Sequence, residues 1–418
     1  MNSRERIRAT LEHQAPDRVP IDLGATAVSG MHVISVAKLR EYYGLDRHPV
    51  KVVEPYQMLG EIENDLLDAV GVDVIGAPSP ATMFGFPNEN WKPFRTPWGQ
   101  EVLVPGLFNT TTSENGDLLM HPQGDVGAPP SARMPKDGFY FDSIIRQEPI
   151  DEDRLDPQDN LEEFGPISDA DLQFHAKHAA ALKVSSRAVV GSAGGTALGD
   201  IAWVPGPFLK QPKGIRDVAE WYMSTVMRPD YLHAVFSEQT EIALKNLAKV
   251  HAVVGDAWDV FFVCGTDFGT QTSSFCSPET YNSLYAPYYK QINDWVHEHT
   301  SWKTFKHSCG AVENFMDHFI DSGFDIVNPV QCSATGMDPK HLKEAYGDRI
   351  VFWGGGVNTQ HTLPFETAQD VRKEVLGRCE IFAPNGGFVF NAIHNVQANT
   401  PVENMAAMID AVKEFNGR

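Results

Sequence analysis

Residues 304–339 read TFKHSCGAVENFMDHFIDSGFDIVNPVQCSATGMDP. An apolar run ends at His307-Ser308-Cys309, and a helical pattern follows. Val312, Phe315, Met316, Phe319 and Ile320 are spaced to share one helix face. A second apolar run, from Asp325 to Gln331, then ends at Cys332. Strand, helix and strand in this order predict a parallel βαβ unit.

The same rhythm continues outward. SDADLQFHAKHAAALKVSS is a helix with Ser168 at its N-cap, and RAVVGSAGG is a buried strand. Helices are predicted over 214–228 and 230–250, then a strand in WDVFFVCGTDFG (258–269). The next helix has Ser277 as cap and Pro278 at its first position. Further along come a short helix after Asp338-Pro339, the strand RIVFWGGG, a helix opening at Thr367, and GFVFNAIHN. In the last helix, Thr400 to Glu403 has capping-box spacing. Toward the N-terminus the pattern predicts helices over 3–13, 33–43 and 56–69 and a strand in GVDVIGA (71–77). Residues 80–165 differ, mixing aromatics, turn residues and short alternating runs, which predicts hairpins inserted over one face of the larger fold.

No G-x-G-x-x-G follows the first strand, and no G-x-x-x-x-G-K-[ST] occurs, so nucleotide binding has no support. Polar and metal-ligand residue types recur at the C-terminal end of strand after strand, which is where a closed α/β barrel assembles its chemistry. The expected architecture is therefore a single α/β domain over 1–418. It is a TIM-type (β/α)8 barrel with N-terminal helices and a β-rich cap inserted at about residues 80–165, over the barrel mouth.

Composition narrows the partners. Of 418 residues, 34 are Lys or Arg and 55 are Asp or Glu, a net charge of −21. Such a surface repels nucleic acid and anionic membrane. The opening MNSRERIRATLEHQ has no apolar segment or cleavage site, and no run of about 18 apolar residues occurs. A cytoplasmic setting is expected, in which the five cysteines stay reduced and free to bind metal.

On spacing alone His-x-Cys is a weak motif, and a cysteine is more often a small buried apolar residue. Position strengthens it: His307 and Cys309, two apart at a strand end, can face the same side, and Cys332 ends the neighbouring strand. Three N/S ligands with an open fourth position suit a catalytic zinc. Asp267, an ionisable group at a strand end, is a candidate for catalysis, as is His394, read as either a rim acid/base or a packed loop residue. Gln271, Gln331, Gln360 and Asn391 recur at strand ends and are candidates for substrate binding. The aromatics Phe84, Phe86, Trp91, Phe94 and Trp98 either wall a substrate pocket or pack the insertion onto the barrel.

Taken in order, SRERIRATLEHQAPDRVPIDLG, DFGTQ, the block from HSCG to WGGGVNTQ, and APNGGFVFNAIHNVQANTPVENM resemble the uroporphyrinogen decarboxylase superfamily, on its corrinoid-dependent methyltransferase side. The resemblance covers nearly the whole chain and implies a TIM-type barrel. The arginine-rich N-terminal signature with which the decarboxylases grip carboxylate side chains is absent. In thiol-methylating relatives a His-x-Cys pair and a later cysteine in an A-P-x-C-G-like turn hold zinc. His307 and Cys309 match the pair, but the later turn is APNGG, with Gly386 at the cysteine position. With Gly386 there, Cys332 at the neighbouring strand end is left as the candidate third ligand, with Asp267, His394 or a substrate atom completing the site. The expected activity is transfer of a methyl group from an O-, N- or S-methyl donor, a methoxylated aromatic favoured, to cobalamin carried by a partner corrinoid protein, with zinc as Lewis acid. The alternatives are a methylcobamide:thiol or folate methyltransferase, a carboxylate decarboxylase, and a non-catalytic protein that binds a ligand or a corrinoid protein.

Overall fold

A computed structural model describes residues 1–417. Its centre is a curled parallel sheet: β1 (Val74–Gly76), β2 (Ala188–Gly191), β3 (Val260–Cys264), β4 (Lys303–His307), β5 (Ile326–Asn328), β6 (Val351–Trp353) and β7 (Phe388–Val389), hydrogen-bonded in that order. An eighth, shorter position closes it. On one edge of residues 20–22, Asp22 N–H donates to Phe390 O and Phe390 N–H to Pro20 O, both at 2.8 Å. On the other edge, Asp73 N–H donates to Ile21 O at 2.8 Å. The cylinder is the expected (β/α)8 barrel, with its first strand reduced to a bridge.

Alternation along the strands separates two cores. Inward residues such as Val74, Val190, Val260, Phe305, Ile326, Val351 and Val389 form one apolar plug. Outward neighbours, among them Val189, Phe261, Val327 and Phe352, pack under the surrounding helices. The N-terminal helix Ser3–Leu11 closes the underside, adding Ile7 and Leu11 to the plug. Ion pairs hold it there: Arg4 and Arg8 reach the buried Asp259, while Arg6 and Arg18 share the fully buried Asp73.

Caps at Ser168 and Ser277 form as the sequence predicts, and the helix expected to open at Thr367 starts at Ala368 with Thr367 as its cap. Two local expectations fail. The segment 56–69 is a helix only over Asn64–Val70, because Leu59–Gly60 pairs antiparallel with Val50–Glu54. The last helix starts at Val402 behind Pro401 without a side-chain cap, so the Thr400–Glu403 box is not made. Within 80–165 the hairpins are present as two small sheets. One is joined by Val50–Glu54, which runs parallel to Glu101–Val104. The aromatics there are mostly used internally. Phe84 and Phe86 are fully buried and cluster with Tyr56 and Phe141, Phe94 packs edge-on to Phe108, and Trp98 packs on His32 and Phe139. Trp91 lies beneath the Lys51 ammonium. These contacts pack the β-rich region together.

Candidate metal centre at the barrel mouth

β4 carries Phe305 into the plug, so His307, two residues on, faces the barrel axis at the C-terminal rim. Its Nδ1–H donates to Asn328 Oδ1 at 2.6 Å, and Asn328 is its register partner on β5. The Asn328 amide is oriented in turn, because its Nδ2 donates to Trp353 O at 2.7 Å. The proton on Nδ1 leaves His307 Nε2 with a free lone pair. Cys309 Sγ lies 3.4 Å from that nitrogen.

The third group is His394. The ligand atoms of His307, Cys309 and His394 lie within 4.8 Å of one another, with His307 buried and the other two half-buried. Side-chain amides tether the loop that brings His394 over the mouth. Asn391 Nδ2 donates to Asp22 O at 3.1 Å. Asn395 Oδ1 accepts Gly30 N–H at 2.8 Å, while its Nδ2 reaches Ala27 O and Gln57 Oε1.

Burial and two neighbouring groups, Asp267 and the fully buried Lys306, set the electrostatics of the cluster. Burial, and for His394 the neighbouring His307, push both imidazoles down to about 4, so they are neutral and able to ligate. Burial, and then the Asp267 carboxylate, raise the Cys309 thiol well above its usual value. Asp267 accepts Cys309 N–H at 2.7 Å, and burial raises its own pKa. It stands beside the thiol with Tyr222 O–H donating to its carbonyl at 2.8 Å.

The sequence-predicted residues therefore divide. His307, Cys309, His394 and Asp267 come together. Cys332 does not join them: it packs as a partly buried member of the outer core, near Arg378 and Glu374 of the helix Ala368–Phe382, with burial pushing its thiol up to about 11. Gly386 precedes β7 at the opposite end of the barrel, where a Cβ would strike Gln14 O at 2.4 Å. His394 thus stands at the mouth where the strand-end position pointed to Cys332. Gln331 accepts Gly310 N–H at 2.8 Å and donates to Gln271 at 3.0 Å and Gln360 at 3.4 Å, so three of the proposed substrate-binding residues form one cluster beside Cys309. Asn391 is occupied in tethering its loop. Asn328 and Asp22 escaped the sequence reading. Their position opposite a ligand-bearing strand end was the available signal for Asn328, and Asp22 is a fully buried carboxyl that accepts Trp353 Nε1–H at 2.8 Å.

Fold and site together define a TIM-barrel protein with a His/Cys/His cluster at the catalytic end. Residues 203–415, just over half of the chain and including all three cluster residues, match the family model of uroporphyrinogen decarboxylase (URO-D). The chain belongs to that family. It is similar to the uroporphyrinogen decarboxylase of Psychromonas ingrahamii, 32% identical over 89 residues, covering 20% of this chain and 24% of that one. It is also similar to the uroporphyrinogen decarboxylase of Coxiella burnetii, 22% identical over 198 residues, covering 45% and 49%. The chain thus spans between about a quarter and a half of the length of these relatives. A solved methyltransferase from Methanosarcina mazei shares the fold over 99% of both chains, with a TM-score of 0.56 at 13% identity. Among the described residues no helix is long and apolar enough to cross a membrane.

Proposed function

We propose that this protein is a zinc-dependent methyltransferase that passes a methyl group from a methylated small molecule, a methoxylated aromatic favoured, to the cobalt of a corrinoid protein. The observation that carries the proposal is the convergence of His307 Nε2, Cys309 Sγ and the His394 ring at the rim. The donor set fits zinc. Ligands at about 2.0–2.1 Å for nitrogen and 2.3 Å for sulfur on a tetrahedron stand roughly 3.5 Å apart, and the His307–Cys309 separation is 3.4 Å. Three protein ligands leave a fourth position for substrate.

Held by His307, Cys309 and His394, zinc would supply Lewis acidity to the oxygen, nitrogen or sulfur that carries the methyl group. The remaining work falls to the chain. Asn328 fixes the His307 tautomer. Asp267, beside the Cys309 thiol, is placed to take its proton when a cation binds and to hold a proton near the leaving atom. The Gln271–Gln331–Gln360 cluster holds the Cys309–Gly310 turn and borders the entry. A decarboxylase reading is less well supported. Arg4, Arg6 and Arg18 are ion-paired with Asp259 and Asp73 at the far end of the barrel, away from the mouth.

The test is to incubate zinc-loaded protein with cob(I)alamin and a panel of methoxylated aromatics and methylamines. Replacement of the Co(I) absorption by that of methyl-Co(III) with one donor is expected. No spectral change with any donor would overturn the proposal.

A further inference from the structure

Among the described residues the plug inside the barrel is sealed by side chains no more than 6% exposed, with one exception: Phe262 on β3 is only partly buried. Val260 faces inward, so Phe262 does too, and from inside a barrel closed below by Ile7 and Leu11 its exposed face can open only toward the mouth. The ring is held from behind by Phe305, with centroids 5.2 Å apart and an interplanar angle of 29°. Phe305 is itself edge-on to Trp353 at 5.4 Å. Register pairs Phe262 with Phe305, which places it one pleat, about 7 Å, below the level of His307. On the other side, just past the end of β2, the exposed Ser192 donates its Oγ–H to Phe262 O at 3.2 Å.

We infer that Phe262 is the platform on which a flat aromatic ring of the substrate lies, with Ser192 as side wall and the half-buried Cys309 and His394 above. An aromatic face fixed at its back favours an offset-stacked or edge-on ring over a small alkyl compound. A ring seated there presents an attached methoxy group toward the rim. The inference selects aromatic methyl ethers over methylamines as the substrate class, and it rests on the proposed function for the reaction but not for the binding.

The test is equilibrium binding to the zinc-supplemented full chain, with methoxybenzene, 2-methoxyphenol, methylammonium and dimethyl sulfide as probes and no corrinoid present. The wild type should bind the two methoxybenzenes in preference to the alkyl probes. Phe262→Leu should weaken their binding about tenfold, and Ser192→Phe, which fills the space over the ring, should abolish it. Zinc content and the unfolding midpoint should be held in both variants. Because Ser192 is exposed, that variant carries the test if Phe262→Leu folds poorly. Absence of methoxybenzene binding, affinity unchanged within twofold in either folded variant, or preference for an alkyl probe would overturn the inference. Phe262-dependent binding without methyl transfer to cob(I)alamin would leave the platform standing and remove the methyltransferase reading. Transfer from methylammonium, indifferent to Phe262, would do the reverse.

Discussion

Asn328 touches no reacting atom, yet it decides which nitrogen of His307 is free, through one hydrogen bond received and one given. Partners of this kind are worth about 10- to 100-fold in metal affinity. Asn328→Leu should weaken zinc binding by that factor in a competition titration with a chelating dye, and unchanged affinity would mean that the contact is only packing. Cys332 supplies the contrast: Cys332→Ser should retain full zinc, whereas His394→Ala should lose it, both read by metal analysis after dialysis. At this scale the sequence named His307, Cys309, Asp267 and His394, but gave the third ligand to Cys332. His307 and Cys309 were legible because His307 ends its strand and Cys309 follows only two positions on, close enough to keep the same side. The facing of Cys332 was not legible, because it lies beyond the strand end at Asn328, where alternation no longer fixes the side. His394 reaches the pair through a loop tethered to residues 22, 27, 30 and 57, a dependence with no local signal.

β4 and β5 are registered at their starts as well as at the site. Asp325, just before β5, accepts Thr304 N–H at 2.7 Å and His297 Nε2–H at 2.8 Å. Burial alone would raise its pKa, but His297, Thr304 N–H and Lys303 together hold it below 3.8, and the same contact raises His297 above 6.5. The carboxylate's contribution is present above 3.8 and fades as pH falls through its lower folded value. The imidazole's is complete below 6.5 and is lost as pH rises through its higher folded value. His297→Gln should therefore lower the unfolding midpoint more at pH 6 than at pH 9. An equal loss at both would show that the charge pair contributes nothing. Elements of this kind were legible where local chemistry decides them, as with the caps at Ser168 and Ser277. They were not where a distant partner competes: Leu59–Gly60 gives up its helical pattern to pair with Val50–Glu54.

For the whole molecule, the closed barrel could be inferred from the strand–helix rhythm and the residue types at the strand ends, but the segment that closes it could not. The closing segment 20–22 is only a bridge, and Ile21 owes its place to hydrogen bonds with residues more than fifty positions away. Those bonds link the first strand to the eighth, and so bring the loop of His394 to the mouth. Occupation of the site should stabilise the whole barrel, because the folded chain binds zinc with ligands drawn from two distant segments. Free zinc at about 100 times Kd contributes about 2.7 kcal/mol. The midpoint should rise by a few degrees on adding zinc to chelator-treated protein, and Cys309→Ala should remove the rise.

X-ray absorption at the zinc edge of the loaded protein reads the coordination directly. We expect one sulfur at about 2.3 Å and two imidazole nitrogens at about 2.0–2.1 Å, with a lighter atom in the fourth position. Two sulfurs, a shell of oxygens alone, or failure to retain one zinc per chain would contradict a centre built from His307, Cys309 and His394.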